Sequence, residues 1–171
     1  MSSLPPLQAR HYNVEMVTAQ YLLSGKLEPF GALMIYLNHP ERVTFLVRDV
    51  TATALDAANV AHVFHTDELW VYRRDISLLH PRETLSPSTM QLLPAKEKVR
   101  LVLPRFVVQA TVYRGTDTAV GDMFDALSGY WIMATETQIF PLQPVAAPVF
   151  REAHQLLINR AYVQSYQVLK S

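Results

Sequence analysis

The chain has 171 residues, half of them hydrophobic and 18% charged, with fifteen basic residues balanced by fifteen acidic ones. Zero net charge supplies no overall field to draw the protein to nucleic acid or to an anionic membrane. The lack of cysteine excludes disulfides, thiolate nucleophiles and cysteine-ligated zinc, and the composition predicts a well-filled core in one domain or two small ones.

Residues 1–9 read as a loose, proline-containing lead-in without the basic start and apolar run of a signal peptide. The apolar patch at 30–37 falls far short of the roughly 20 residues that cross a bilayer. A soluble cytoplasmic protein with no membrane contact is the expectation. From His11 a strand runs to about Val17 and a second to about Leu27. Within it Tyr21-Leu22-Leu23 is apolar without alternation, as in a strand buried on both faces. Glu28-Pro29-Phe30-Gly31 is turn chemistry. Leu33, Tyr36 and Leu37 then share one face of a short helix, closed by Asn38-His39-Pro40. Strands are expected over 43–50, 51–55, 60–64, 69–72 and 76–79, a pattern of short strands that predicts a mostly antiparallel barrel or sandwich. Residues 80–98 carry Pro81, Pro87 and Pro94 and read as a linker, whose apolar middle at 90–93 can dock on a neighbouring surface. Further strands follow over 99–103 and 105–113, with Gly115 in the turn. A helix over 118–127 is capped by Thr118 and has Val120, Met123, Phe124 and Leu127 on one face. Strands at 130–133 and 137–140 come next.

Residues 99–112 repeat the apolar pattern of residues 14–27. Val14 falls opposite Val99, Met16 opposite Leu101, Tyr21 opposite Phe106 and Leu27 opposite Val112. The later elements keep the same order, and Trp70-Val71-Tyr72-Arg73-Arg74 falls opposite Leu156-Leu157-Ile158-Asn159-Arg160. An internal duplication is therefore expected, with a first β-domain over 10–79, the linker at 80–98 and a second β-domain over 99–169. The fold class that follows is mostly β with minor α. It consists of two tandem small antiparallel barrel-like domains of SH3 or Sm type, each with one short helix, packed as a pseudo-symmetric pair.

Leu37-Asn38 at the end of a helix, Phe45-Leu46 on a strand and Ile158-Asn159-Arg160-Ala161-Tyr162-Val163 as a closing strand resemble a small bacterial β-domain family of unknown function, here in two tandem copies. Tyr72-Arg73-Arg74-Asp75-Ile76 looks like a degraded version of the closing element. The resemblance implies the fold unit and brings no activity, cofactor or site residue with it.

Each chemical candidate has a plainer reading. His62 and His65 lie three apart on an expected strand, so their rings diverge and read as rim histidines, not metal ligands. Asp122 and Asp125 lie on the helix face opposite its apolar stripe and lack the burial that acid–base work requires. No nucleophile elbow or phosphate-binding glycine loop occurs, and there are only five glycines to build one. Arg74 falls opposite Arg160, and an arginine retained in both copies reads as structural, pairing with a carboxylate or capping loop carbonyls.

The aromatics Trp70, Tyr72, Tyr130, Trp131, Tyr162 and Tyr166 fall on expected strands, some necessarily facing outward. They pack one copy on the other or form an interaction surface for a second chain. The expectation is a non-enzymatic protein-interaction or regulatory module, without catalytic residues, metal or cofactor, whose partner is a protein or a second copy, a homodimer included. Two alternatives stand beside it. The first is nucleic-acid binding by tandem Sm- or OB-like barrels through Arg48, Arg73, Arg74, Arg105, Arg114 and Arg160, which the absence of net positive charge disfavours. The second is an apolar small-ligand cavity between the copies.

Overall fold

The computed structural model describes residues 10–59, 62–126 and 129–170. The strands are β1 (Tyr12–Thr18), β2 (Tyr21–Leu27), β3 (Thr44–Ala54), β4 (Val63–Tyr72), β5 (Ile76–Pro81), β6 (Ala95–Val102), β7 (Phe106–Arg114), β8 (Trp131–Pro141), β9 (Glu152–Asn159) and β10 (Ser165–Val168). Three short helices, α1 (Leu33–Asn38), α2 (Pro87–Met90) and α3 (Val120–Ala126), and two 3-10 turns, Arg73–Asp75 and Arg160–Tyr162, complete the described elements. The protein is mostly β, as expected. Its strands form one open antiparallel sheet in the order β10-β6-β7-β8-β9-β5-β1-β2-β3-β4.

Local chemistry sets the turns. The Thr18 hydroxyl accepts from the main-chain N–H of Gln20 and of Tyr21, which closes the β1–β2 hairpin. Helix α1 has no side-chain cap and is held by burial of Leu33, Met34, Tyr36 and Leu37; it stops short of Pro40, whose ring disfavours helical backbone at His39. Helix α2 begins at Ser86, whose hydroxyl accepts from Thr89 N–H, with Pro87 in its first turn.

Side chains alternate between the faces of a strand, so neighbouring apolar residues in the central strands enter different cores. Leu156 and Ile158 of β9 join one core and Leu157 the other; Leu78 and Leu79 of β5, and Leu22 and Leu23 of β2, divide in the same way. One core gathers Val99, Phe106, Val108, Phe124 and Ile132, and the other Met16, Leu33, Phe45 and Val47. Each takes residues from the far half of the chain: Val17, Leu55 and Leu78 enter the first, and Trp131, Met133 and Leu157 the second. Burying each such side chain contributes about 1.5–3 kcal/mol.

Several expected elements merge or move. The segments at 43–50 and 51–55 are the single strand β3. It continues through Asp49, which takes a left-handed φ of 50°, opposite a register shift between Ser24 and Lys26 of β2. Val63–Tyr72 is likewise one strand, with Val60 outside the described residues, and the segments from Tyr130 to Phe140 fuse into β8 with Glu136 at φ 51°. The expected closing strand at 158–163 is the end of β9 followed by a 3-10 turn, which Asn159 caps by accepting from Ala161 N–H. Strand β6 starts at Ala95, inside the stretch read as linker, because Lys96 and Lys98 take ladder positions opposite Tyr113 and Thr111. The rest of that stretch holds the end of β5, at His80 and Pro81, and α2; of its apolar middle Met90 is buried and Leu93 is exposed. Leu127, expected on the helix face, lies outside the described residues.

Candidate interaction surface

The sheet has a seam and two ends. At the seam β9 meets β5, with Leu78 opposite Ile158 and Leu79 opposite Leu157, all fully buried. Polar side chains reinforce this short ladder. The Asn159 amide donates to the carbonyls of Arg73, at 3.1 Å, and Ile76, at 2.9 Å. The Asn38 carbonyl oxygen, at the end of α1, accepts from Tyr130 N–H and Trp131 N–H at the start of β8. Arg73 lies 3.4 Å from the Tyr130 ring centroid and donates to the His39 carbonyl, while Tyr162 Oη donates to the Arg74 carbonyl. Burial, with Asp75 nearby, pushes the Tyr162 hydroxyl above its ordinary pKa.

Three of the six aromatics picked out from the sequence therefore belong to the seam. Trp131 is only 3% exposed and offers no outer surface. Tyr130 precedes β8 and Tyr162 sits in a 3-10 turn, so neither is a strand residue as expected. The other three lie at the ends. Trp70 and Tyr72, on β4, are 61% and 50% exposed, and Tyr166, on β10, is 43% exposed. Tyr166 stacks on Phe124 of α3 with ring centroids 4.6 Å apart.

β4 and β10 each pair with one neighbour and are the outer strands of the sheet. Outer strands usually carry charge that blocks further pairing. On β4 the charges Asp67 and Glu68 lie in the first part of the strand, and Leu69-Trp70-Val71-Tyr72 has none. β10, Ser165-Tyr166-Gln167-Val168, also has none, and all four residues are exposed. Beside it a cleft of about 480 Å³ is lined by Phe124, Asp125, Arg160 and residues 163–166.

Arg74 and Arg160, expected at equivalent places, stand at different positions of their 3-10 turns. Arg160 opens its 3-10 turn as Arg73 opens the other, and Arg74 lies one residue further on. Arg73 is the buried arginine that binds a loop carbonyl, while Arg74 is exposed beside Asp75. Of the other arginines named for nucleic acid, Arg48 pairs with Glu68, Arg105 with Asp56 at 2.6 Å and Arg114 with Glu97 at 2.6 Å.

His62 and His65 are exposed, and His65 bonds Thr51. Asp122 and Asp125 are exposed too. Among the described residues no group of three His, Asp or Glu side chains is placed to hold a metal ion, and no helix is long and apolar enough to cross a membrane. An open cleft of about 430 Å³ between α1, α2 and β8 is lined by Met34, Met90, Met123, Trp131 and Met133 among others. The indole N–H of Trp131 is buried there without a hydrogen-bond partner among the described residues.

Sequence patterning gave no sign of the buried polar side chains. Gln155 holds both the N–H and the C=O of Leu85, fixing the linker to β9. Glu15 is buried on β1 between His80, at 3.3 Å, and Arg82, at 2.7 Å. Burial works to raise the Glu15 pKa, but the contacts with His80 and Arg82 together outweigh it and hold the carboxyl below its ordinary 4.5. No known protein family, curated protein or solved structure matches the chain.

Proposed function

We propose that the chain is a duplicated β-domain that works as a non-enzymatic protein-interaction module, making its contacts through the outer edges of its sheet. The observation that carries the reading is that part of each edge, Leu69–Tyr72 on β4 and Ser165–Val168 on β10, is free of charge and carries exposed aromatics. Exposed aromatics on strand edges that no charge protects fit partners which add a strand, the main chain giving affinity and the side chains selectivity.

The strand registers support duplication. Val17 faces Leu22 across β1–β2, and Val102 faces Val107 across β6–β7. The register shift in β2 between Ser24 and Lys26 recurs in β7 between Gln109 and Thr111. The left-handed residues opposite them, Asp49 and Glu136, recur as well, and Phe45 faces Val71 as Ile132 faces Ile158. Each half, carrying one helix between its second and third strands, is then one barrel-like copy.

Size exclusion coupled to light scattering, across protein concentration and salt and with an oligonucleotide in one arm, tests the reading. A protein–protein complex indifferent to salt and oligonucleotide is the expected result. A monomer that shifts with oligonucleotide at low salt overturns the reading, as does substrate turnover abolished by a point change in a cleft.

A further inference from the structure

We infer that the partner of these edges is a second copy of this chain, whose β10 pairs with β4 and repeats between molecules the β9–β5 seam that each molecule contains. The inference rests on the interaction-module reading and on duplication. In each copy the strand order is fifth-first-second-third-fourth, and the copies join with the fourth strand of one, β9, against the fifth of the other, β5. The strands left at the two ends are the remaining fourth and fifth, β4 and β10. They are the same two surfaces, each without its mate.

Registers identify the residues. Leu79 faces Met16 on β1, and Tyr166 faces Leu101 on β6; Leu157 faces Met133 on β8, and Trp70 faces Leu46 on β3. Tyr166 and Trp70 thus stand where Leu79 and Leu157 stand at the seam. The seam pair is fully buried and the end pair is 43% and 61% exposed. Two large aromatics exposed at positions that are sealed elsewhere in the same chain point to a seal that a second molecule completes.

The cleft beside β10 agrees. Its walls, Phe124, Asp125, Arg160 and residues 163–166, correspond to Leu37, Asn38, Arg73 and residues 76–79. That first-copy site is filled: Leu37, Ile76 and Leu79 share a core with Trp131 and Leu157, and the Asn38 side chain accepts from Tyr130 and Trp131 N–H. In the pairing between molecules, Trp70 enters the second-copy cleft against Tyr166 and Phe124. Asp125, in the place of Asn38, accepts from the main-chain N–H groups of Val43 and Thr44; Val43 precedes β3 and Thr44 opens it, as Tyr130 precedes β8 and Trp131 opens it. The facing strand ends, Leu69-Trp70-Val71-Tyr72 and Ser165-Tyr166-Gln167-Val168, bring no charge into the joint. Because the two surfaces differ, the contact is head-to-tail, and it builds a closed ring or an open filament.

The chain has no cysteine, so single cysteines report the register cleanly. The seam pairs Leu78 with Ile158, which places Ser165 opposite Val71 between molecules. Val71→Cys chains mixed with Ser165→Cys chains should cross-link on mild oxidation into the mixed dimer, because directly facing Cβ atoms lie within disulfide reach. Val71→Cys mixed with Gln167→Cys, two residues out of register, should not. Trp70→Glu should keep the far-UV spectrum and melting of the fold, and Tyr166→Glu the far-UV spectrum with the small drop in melting that loss of its stack on Phe124 brings, while each weakens assembly more than about thirtyfold, as for a central aromatic anchor. Assembly in light scattering that survives both substitutions, with no in-register cross-link, sinks the β4–β10 pairing and leaves protein contact standing. A monomer at every concentration also sinks the pairing, and a monomer that binds oligonucleotide sinks both readings.

Discussion

Asn159→Ala tests whether the seam is held by the amide and not by the leucines alone. The side chain is 2% exposed, donates to the carbonyls of Arg73 and Ile76, and accepts from Ala161 N–H. Alanine removes all three bonds and admits no water without opening the strands. The Arg73 carbonyl keeps a second donor, the main-chain N–H of Ile76. A net hydrogen bond is worth about 1 kcal/mol, so the loss of the three comes to about 3 kcal/mol. In a chain of this length that lowers Tm by roughly 6–12 °C. Asn159→Asp is the sharper control, since it preserves size but turns an acceptor toward two carbonyls; it should be worse than alanine at neutral pH. The assay is thermal and urea unfolding followed by circular dichroism, with one transition expected because each core takes side chains from both halves. If Asn159→Asp melts within about 2 °C of the parent, the amide does not hold the seam and the reasoning fails.

Glu15→Gln should destabilise the protein at neutral pH by removing the charged partner of Arg82 and His80. Because the folded carboxyl titrates below its ordinary 4.5, its contribution is complete above that value and is lost as pH falls through the lower folded pKa. The stability gap between parent and variant should therefore close in acid, and a gap independent of pH would contradict the assignment. Gly25→Ala should cost about 1–3 kcal/mol in urea unfolding, since its Cβ would stand 2.7 Å from Val47 Cγ1 and 2.8 Å from the Arg48 carbonyl oxygen. Gln91→Gly should raise stability by about 0.5–1 kcal/mol, because Gln91 ends α2 at φ 53°; an unchanged or lower Tm would count against strain at that cap.

What was legible in the sequence was whatever repeats at short range. The apolar run of β2 and the shared face of Leu33, Tyr36 and Leu37 on α1 were readable because burial leaves a period in the letters. The breaks inside β3 and β8 were not real breaks: Asp49 and Glu136 carry left-handed φ within continuous strands, and a polar residue there imitates a turn. Matching letters set Arg160 opposite Arg74, yet Arg160 is the first residue of its 3-10 turn and Arg74 the second of the other, a placement that ladder bonds to the neighbouring strand fix and side-chain identity does not. Glu15, Gln155 and Asn159 stood in the sequence as ordinary surface polars. Each is buried because its partners, some 65 to 86 residues away, arrive only when β5 comes between β1 and β9. The same limit hid the division among the aromatics. Trp70 and Trp131 both looked like strand residues with an outer face, and only the strand order separates them: Trp131 is sealed beneath the other half of the chain, and Trp70 is left at an end of the sheet. Which of the two tryptophans stays exposed is thus decided by where the sheet stops, a property of the assembled strands and of no segment taken alone.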